Sequence, residues 1–394
     1  MKILMINVTC GTGSTGRICT DLAEVLEKNG HTIKIAYGRD EVLDKHKKYA
    51  IKIGNDFDVK MHVLKARLMD AAGFGSKRVT TRFIEWIKLF DPDIIHLHNI
   101  HGYYINIEIL FNYLKNCGKK IIWTLHDSWA FTGHTPYCDV INCYKWETCC
   151  DRCKLLKEYP KTLIDFSKRN WIKKNILFNG ISEMTIVTPS EWLQSLLKKS
   201  FLKDYNTLVI NNGINTKIFF NRDSKIFEKY GIKDKFIILG VASVWDNMKG
   251  LNDYLELSKI LDENCKIVLV GLTSKQIKNL PKNVLGIERT ENIDELAMLY
   301  SEANLFLNLS YCENYPTVNI EALACGTPVL TYNTGGSPEI VFKYGGIVVE
   351  KGNILGIKQE IKNIIKNKIQ ISFSSAENDI SYMISKYLKV YENI

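Results

Sequence analysis

No uninterrupted apolar run in these 394 residues approaches the ~20 needed to cross a bilayer, which argues against a helical membrane span. The opening Met1-Lys2-Ile3-Leu4-Met5-Ile6-Asn7-Val8 lacks both the long apolar core and the small-residue cleavage site of a secretory signal, and reads as a buried strand. Internal repeats, low-complexity tracts and long linkers are missing too, so solenoids and disordered tethers are not expected. The aromatic-basic RNP signature and C2H2 spacing are absent, which counts against nucleic-acid recognition despite a net charge of +9. No Lys-Ser or Lys-Thr follows the last glycine of Gly11-Thr12-Gly13-Ser14-Thr15-Gly16, so this turn is not a P-loop.

What is present is an alternation of short apolar runs with helical stretches, and it occurs twice. A chain of 394 residues exceeds a single core, and 46% hydrophobic residues suffice to fill two. In the first half, strands are expected at 2–8, 32–37, 94–97, 120–125, 186–188 and 208–210, with a helix over 17–29 after the glycine turn, a Rossmann-like βαβ opening. The second half restarts at 236–241 and continues through 266–270, 284–287, 305–309, 329–332 and 346–349. The polar run Asn211-Asn212-Gly213-Ile214-Asn215 marks the boundary. Domains are therefore expected at 1–212 and 213–376, with a terminal amphipathic helix over 377–394. Two open parallel sheets bind ligands at the carboxyl ends of their strands, so the site is expected in a cleft between domains.

The segment from Ser310 to Val329 carries the clearest chemistry. Pro316 suits the first helical position, 317–325 a short helix, Gly326 its left-handed end, and Thr327-Pro328 the stop before a strand. First-turn N–H groups and the positive end of the helix dipole favour a phosphate or diphosphate. Glu313 just outside and Glu321 inside can accept hydrogen bonds from hydroxyls, a grip that fits a nucleotide sugar. Two solvated acids on a loop and an amphipathic helix would show the same spacing. In the first half, Gly13 and Gly16 allow close backbone approach to a phosphate or sugar, and Ser14 and Thr15 add hydroxyls. His126 and Asp127 end the strand expected at 120–125. His96 and His98 share one strand face with His101 beyond; cleft-lining hydrogen bonds suit them better than a metal, since no carboxylate is adjacent in sequence.

Glu313, seven residues, then Glu321-Ala322-Leu323-Ala324-Cys325-Gly326-Thr327-Pro328-Val329 and Gly335-Gly336 together resemble glycosyltransferase family 4. Gly13-Ser14-Thr15-Gly16-Arg17, the run His96 to Tyr104 and Thr124-Leu125-His126-Asp127 are similar to its bacterial surface-polysaccharide branch, the colanic-acid-type transferases. The likeness covers nearly the whole chain. It implies the GT-B fold, two Rossmann-like doubly wound α/β domains facing an interdomain cleft, with the helix 377–394 packing back on the first. It also implies retaining transfer from a nucleotide sugar, a UDP-sugar, to a lipid-linked or oligosaccharide acceptor in capsule, exopolysaccharide or O-antigen synthesis. No cofactor for catalysis is expected.

Residue by residue, the resemblance sets His126 against the donor sugar, Asp127 against an acceptor hydroxyl, Glu313 on donor-sugar hydroxyls and Glu321 on the ribose. The backbone of Asn314, Tyr315, Thr317 and Val318 is assigned to the phosphates. The family's diphosphate segment corresponds to 242–250, where Lys249 is present but Val244 stands at the usual arginine position; Arg289 or Arg17 is the expected substitute cation. A UDP-sugar 2-epimerase shares this architecture and is the nearest alternative. A zinc-containing nucleic-acid-binding protein is an alternative of another class.

Five of eleven cysteines, Cys138, Cys143, Cys149, Cys150 and Cys153, fall within sixteen residues. Disulfides are not expected in a reducing cytoplasm. Cys150 and Cys153 have the spacing of a zinc knuckle, and with Cys138 and Cys143 they make an expected four-thiolate structural zinc site; redox-sensitive free thiols are the alternative. Lysines and arginines alternate with Met, Leu, Phe, Trp and Ile through 60–88 and 154–174, as amphipathic helices on an anionic membrane surface do and as solvated helix faces do. The expected location is cytoplasmic, peripheral on the inner membrane face.

Overall fold

The computed structural model describes residues 1–367 and 369–393; Lys368, in the expected second domain, and Ile394, the last of the expected terminal helix, lie outside the described residues. The chain divides into two compact units. Unit 1 is Met1–Ile210 with the residues from Lys386 onward, and unit 2 is Asn211–Ser385.

Unit 1 is built on seven parallel strands: β1 (Lys2–Asn7), β2 (Thr32–Tyr37), β3 (Ala50–Lys52), β4 (Ile94–Leu97), β5 (Lys120–Thr124), β6 (Met184–Thr188) and β7 (Asn206–Val209). Their order is β3-β2-β1-β4-β5-β6-β7, with Ile3 opposite Ile33 on one side and Ile94 on the other. Such strands are apolar on both faces because helices cover both; β6 is buried at every residue. The short edge strand β3 was not expected. The helix Gly13–Lys28 begins four residues before the expected start, because extended Thr12 serves as its cap and holds Thr9 Oγ1 on its carbonyl at 2.7 Å. Gly13, at φ +65, is a left-handed entry residue as a glycine turn requires, and Ser14 already belongs to the helix. The helix Ile380–Asn393 supplies Tyr387 and Tyr391 to this unit.

Unit 2 has six parallel strands: β8 (Phe236–Val241), β9 (Cys265–Val270), β10 (Val284–Ile287), β11 (Leu305–Asn308), β12 (Val329–Tyr332) and β13 (Gly346–Val349), in the order β10-β9-β8-β11-β12-β13. The period of two along each strand makes two cores. Leu239, Val268 and Phe306 pack on one face with Tyr300, Ile320 and Val341. Ile238, Ile267 and Leu307 pack on the other with Tyr254, Leu257 and Ile361. Each such side chain contributes about 1.5–3 kcal/mol by burial.

In both sheets the strand order reverses once, between β1 and β4 in unit 1 and between β8 and β11 in unit 2. Connections leave in opposite directions there and open a crevice at the carboxyl ends, where ligands bind in open α/β sheets. Among the described residues, no helix is long and apolar enough to cross a membrane.

Candidate functional site

At the unit 2 reversal, the turn after β8 carries Lys249 and the loop after β11 carries Glu313. Lys249 Nζ lies 2.5 Å from Glu313 Oε1. Burial works against the charged amine, but the neighbouring carboxylate outweighs it and holds the lysine above its ordinary value. Two glycines let these segments close. A Cβ on Gly250 (φ +72) would stand 2.2 Å from the Leu309 carbonyl, and one on Gly335 (φ +54) 1.6 Å from the Glu313 carbonyl.

The loop is locked from below. Asn308 Oδ1 accepts the Ser310 N–H at 3.2 Å, Asn308 Nδ2 donates to Asn319 Oδ1 at 2.9 Å, and Thr334 Oγ1 donates to the Ser310 carbonyl at 3.0 Å. Pro316 is the cap of the helix Thr317–Ala324 and not its first residue: its ψ of 118 is extended, and its carbonyl already accepts the Asn319 N–H. The N–H groups of Thr317 and Val318 occupy the first turn, where no helical acceptor exists. Tyr315 turns its ring into the core, and its carbonyl accepts from Asn212 Nδ2, so its side chain is not displayed at the loop surface. Glu321 is buried and takes the Tyr300 hydroxyl at 3.1 Å.

Lys249, Glu313, Asn314, Tyr315, Thr317, Val318 and Glu321 are therefore gathered at one end of unit 2. Arg289 is exposed and follows β10, the edge strand three positions from β11. Arg17 belongs to unit 1, on the exposed side of its first helix. A lysine beside a helix amino end suits an anion, and the flanking carboxylates suit hydroxyls.

At the unit 1 reversal, Asn7 ends β1 and does what the sequence did not suggest. Its Oδ1 accepts the Asn99 N–H at 3.2 Å, and its Nδ2 donates to the Thr9 carbonyl at 2.8 Å and to Thr15 Oγ1 at 3.3 Å, tying the first helix to the end of β4. Gly13 and Ser14 are exposed on that helix and Gly16 is buried.

Behind this point lies a layer of imidazoles. His98 Nδ1 is 3.1 Å from His126 Nε2, and the His98 ring stands 4.0 Å from that of His96. His96 is held between the Tyr391 hydroxyl at 2.7 Å and Thr124 Oγ1 at 2.8 Å, and the Tyr387 hydroxyl also meets Thr124. Burial pushes His126 down to about 4, His96 to about 3 and His98 well below its ordinary value. All three are neutral at pH 7 and act as hydrogen-bonding groups. Among the described residues, His98 Nε2 is buried without a partner.

A carboxylate reaches His101 from the segment after β5, where Asp127 follows His126. Asp127 Oδ2 is 2.8 Å from His101 Nε2, while His101 Nδ1 meets the Tyr159 hydroxyl at 2.9 Å. Burial works to raise the Asp127 carboxyl, but His101 and the Trp129 N–H on Oδ1 outweigh it, and the group stays below the ordinary carboxylate range. Lys174, expected on an exposed basic face, is buried instead: its Nζ donates to the carbonyls of Trp129 at 2.7 Å and Thr132 at 3.0 Å, fixing the loop after Asp127. Burial pushes this amine down to about 7.

The four cysteines of the expected thiolate site are neighbours in the loop after Asp127. Cys138, Cys143, Cys150 and Cys153 line one cavity of about 420 Å³, yet among the described residues no three His, Cys, Asp or Glu side chains are grouped to hold a metal ion. All eleven cysteines are free thiols. Burial raises Cys150 to about 12 and Cys153 to about 11, so these are protonated sulfurs, and Cys150 Sγ accepts the Gly133 N–H at 3.2 Å.

Residues 15–218 match the family model described as Glycosyltransferase Family 4, and 222–382 match that of Glycosyl transferases group 1. WcaC of Escherichia coli K12, a glycosyl transferase named for colanic acid biosynthesis, is 23% identical over 418 residues, covering all of both chains. An N,N'-diacetylbacillosaminyl-diphospho-undecaprenol alpha-1,3-N-acetylgalactosaminyltransferase of Campylobacter jejuni is 23% identical over 212 residues, 49% of this chain and 56% of its own length. Among solved structures, Alr3699/HepE of Anabaena in complex with UDP superposes with a TM-score of 0.73 over the full length of both chains at 15% identity.

Proposed function

That the chain belongs to glycosyltransferase family 4 and has the GT-B fold is the premise from which we propose its activity: retaining transfer of a sugar from a UDP-sugar to a lipid-linked or oligosaccharide acceptor in bacterial surface-polysaccharide synthesis. The observation that carries this is the Lys249–Glu313 pair beside the amino end of the helix Thr317–Ala324, with Glu321 buried in that helix. Lys249 and the first-turn amides take the diphosphate, Glu321 the ribose, and Glu313 the donor sugar. UDP in the HepE complex supports the nucleotide, and the diphospho-undecaprenol acceptor in the Campylobacter enzyme's name supports the lipid link.

In unit 1, neutral His126 hydrogen-bonds a sugar hydroxyl and anionic Asp127 receives one from the acceptor. The unpartnered His98 Nε2 favours a polar ligand at this strand end. The anomeric C–O bond to phosphate breaks, the acceptor oxygen bonds that carbon on the same face, and the acceptor proton passes to the departing UDP. Catalysis then rests on positioning and on preformed charge. The work is done in the cytoplasm at the inner membrane face.

Thermal unfolding with added nucleotides tests the reading. UDP should raise the melting temperature of the wild type and do so far less for Glu321→Ala, because only a ligand that prefers the folded state stabilises it. No stabilisation by UDP or any UDP-sugar overturns the assignment, and consumption of donor without acceptor would mark an epimerase.

A further inference from the structure

The Asp127 carboxylate, which receives the acceptor hydroxyl in the proposed reaction, is held at both oxygens. Oδ1 accepts the Trp129 N–H at 2.9 Å, as the cap of the short 3-10 turn Ser128–Phe131, and Oδ2 lies 2.8 Å from His101 Nε2. An ionised carboxylate has about four lone-pair sites, so two such contacts fix its plane and leave accepting capacity on each oxygen. The Asp127 side chain is 30% exposed and that of His101 only 11%. The carboxylate is thus open to a ligand, while the imidazole that holds it is mostly covered.

The imidazole is itself held through its other nitrogen. His101 Nδ1 lies 2.9 Å from the Tyr159 hydroxyl, and the ring packs against those of Trp129 and Tyr159, with centroids 5.1 and 5.6 Å away. Both neighbours are anchored. Thr135 Oγ1 donates to the Tyr159 carbonyl at 2.8 Å, and the Lys174 amine donates to the Trp129 carbonyl and sits 3.3 Å from the Trp129 ring centre. The hydrogen placement follows from the groups themselves. An ionised carboxylate only accepts, so His101 carries its hydrogen on Nε2. A tyrosine hydroxyl donates or accepts, so it satisfies Nδ1 whether or not that nitrogen is protonated. The line Tyr159, His101, Asp127 therefore keeps its hydrogen bonds in either charge state of the imidazole. Packing against Trp129 alone would be met by leucine and phenylalanine; the polar atoms serve the carboxylate.

We propose that His101 and Tyr159 are positioning residues for the acceptor: Tyr159 orients the His101 ring, and His101 holds the Asp127 carboxylate in one plane with lone pairs left for a sugar hydroxyl. This rests on Asp127 as the acceptor contact and adds the two side chains that set its geometry. Among the described residues, the titratable groups facing Asp127 are His101, His126, Tyr159 and Lys174, and His101 supplies the hydrogen bond.

NMR of the full chain carrying isotope-labelled aspartate, with the Asp127 signal identified by its loss in Asp127→Asn, follows this carboxyl without any ligand. In the wild type it should titrate below the ordinary carboxylate range, because His101 and the Trp129 N–H outweigh burial. His101→Leu, which fills the space and donates nothing, should move the titration upward. His101→Gln, whose amide N–H can stand where the Nε2–H does, should keep it near the wild type, and Tyr159→Phe should fall between. Transfer from the UDP-sugar that stabilises the protein most to extracted lipid-linked saccharides should drop about 10–100-fold in acceptor kcat/KM in His101→Leu and recover to within about threefold in His101→Gln. UDP-induced stabilisation should be unchanged in all three variants, an arm that tests the donor assignment separately. Equal titration in His101→Leu and His101→Gln, undiminished transfer in His101→Leu, or Tyr159→Phe matching the wild type in both measurements would overturn the proposal. If His101→Leu does not fold, Tyr159→Phe against the wild type decides it.

Discussion

The two units place the same topological feature, a strand-order reversal, at the service of opposite electrostatics. All eight histidines lie at or before His134, so unit 1 holds every one and unit 2 none. Unit 1 lines its reversal with buried neutral imidazoles and one paired carboxylate, whereas unit 2 relies on a lysine–glutamate pair and a helix amino end. A neutral, hydrogen-bonding surface discriminates hydroxyls. A fixed charge and a dipole hold a diphosphate. The contrast implies that acid should act on one unit and loss of a single charge on the other.

The largest expected effect follows from burial. His62 and His126, at about 4, and His96, at about 3, have folded values below the unfolded value of about 6.5. Their stabilisation is complete above about pH 6.5 and is lost as pH falls, because the unfolded chain binds the protons first. By pH 5 each costs about 2 kcal/mol, roughly 6 kcal/mol together, comparable with the whole stability of a small domain. Hydrogen exchange followed peptide by peptide should show unit 1 opening at pH 5 while unit 2 stays protected; simultaneous loss in both would break the comparison.

Next comes charge. Lys249→Ala should weaken UDP binding by about 1.5–3 kcal/mol, the range for a charge-assisted contact, or about 10–150-fold. His126→Ala should leave UDP affinity unchanged. Calorimetric titration of both variants separates the units, and an equal loss in each would merge them.

The smallest effect belongs to the support of the imidazole layer. Tyr391→Phe removes the hydroxyl on His96 Nδ1 and should cost about 1–2 kcal/mol in unit 1 alone, from an unsatisfied buried group. Urea unfolding with probes in each unit measures it, and a matching shift in unit 2 would show that the two are not energetically separate.

The strand ends were legible because their determinants are local: an apolar run, then Gly250, His126 or Glu313 at its end. Edge strand β3 was not, since three residues carry too little pattern against helical neighbours. The glycine-rich turn was legible at Gly11 and Gly13, both left-handed, but it ends sooner than expected, with Ser14 already in the helix. Partners drawn from afar left no trace in sequence; Tyr159 reaches His101 across 58 positions and Tyr391 reaches His96 across 295. Lys174 looked like one more surface cation, and the Trp129 and Thr132 carbonyls and the Trp129 ring under its amine explain its burial. Cysteine spacing gave a donor inventory, and the fold brings Cys138, Cys143, Cys150 and Cys153 around one cavity.

The two tyrosines that finish the histidine layer are translated after the whole of unit 2. During synthesis, a nascent chain that has already made all seven strands of unit 1 has the Thr124 hydroxyl on His96 but not that of Tyr391, which arrives only when the last turns of the helix Ile380–Asn393 leave the ribosome. The histidine layer of unit 1 is thereby completed only after the whole of unit 2 has been made.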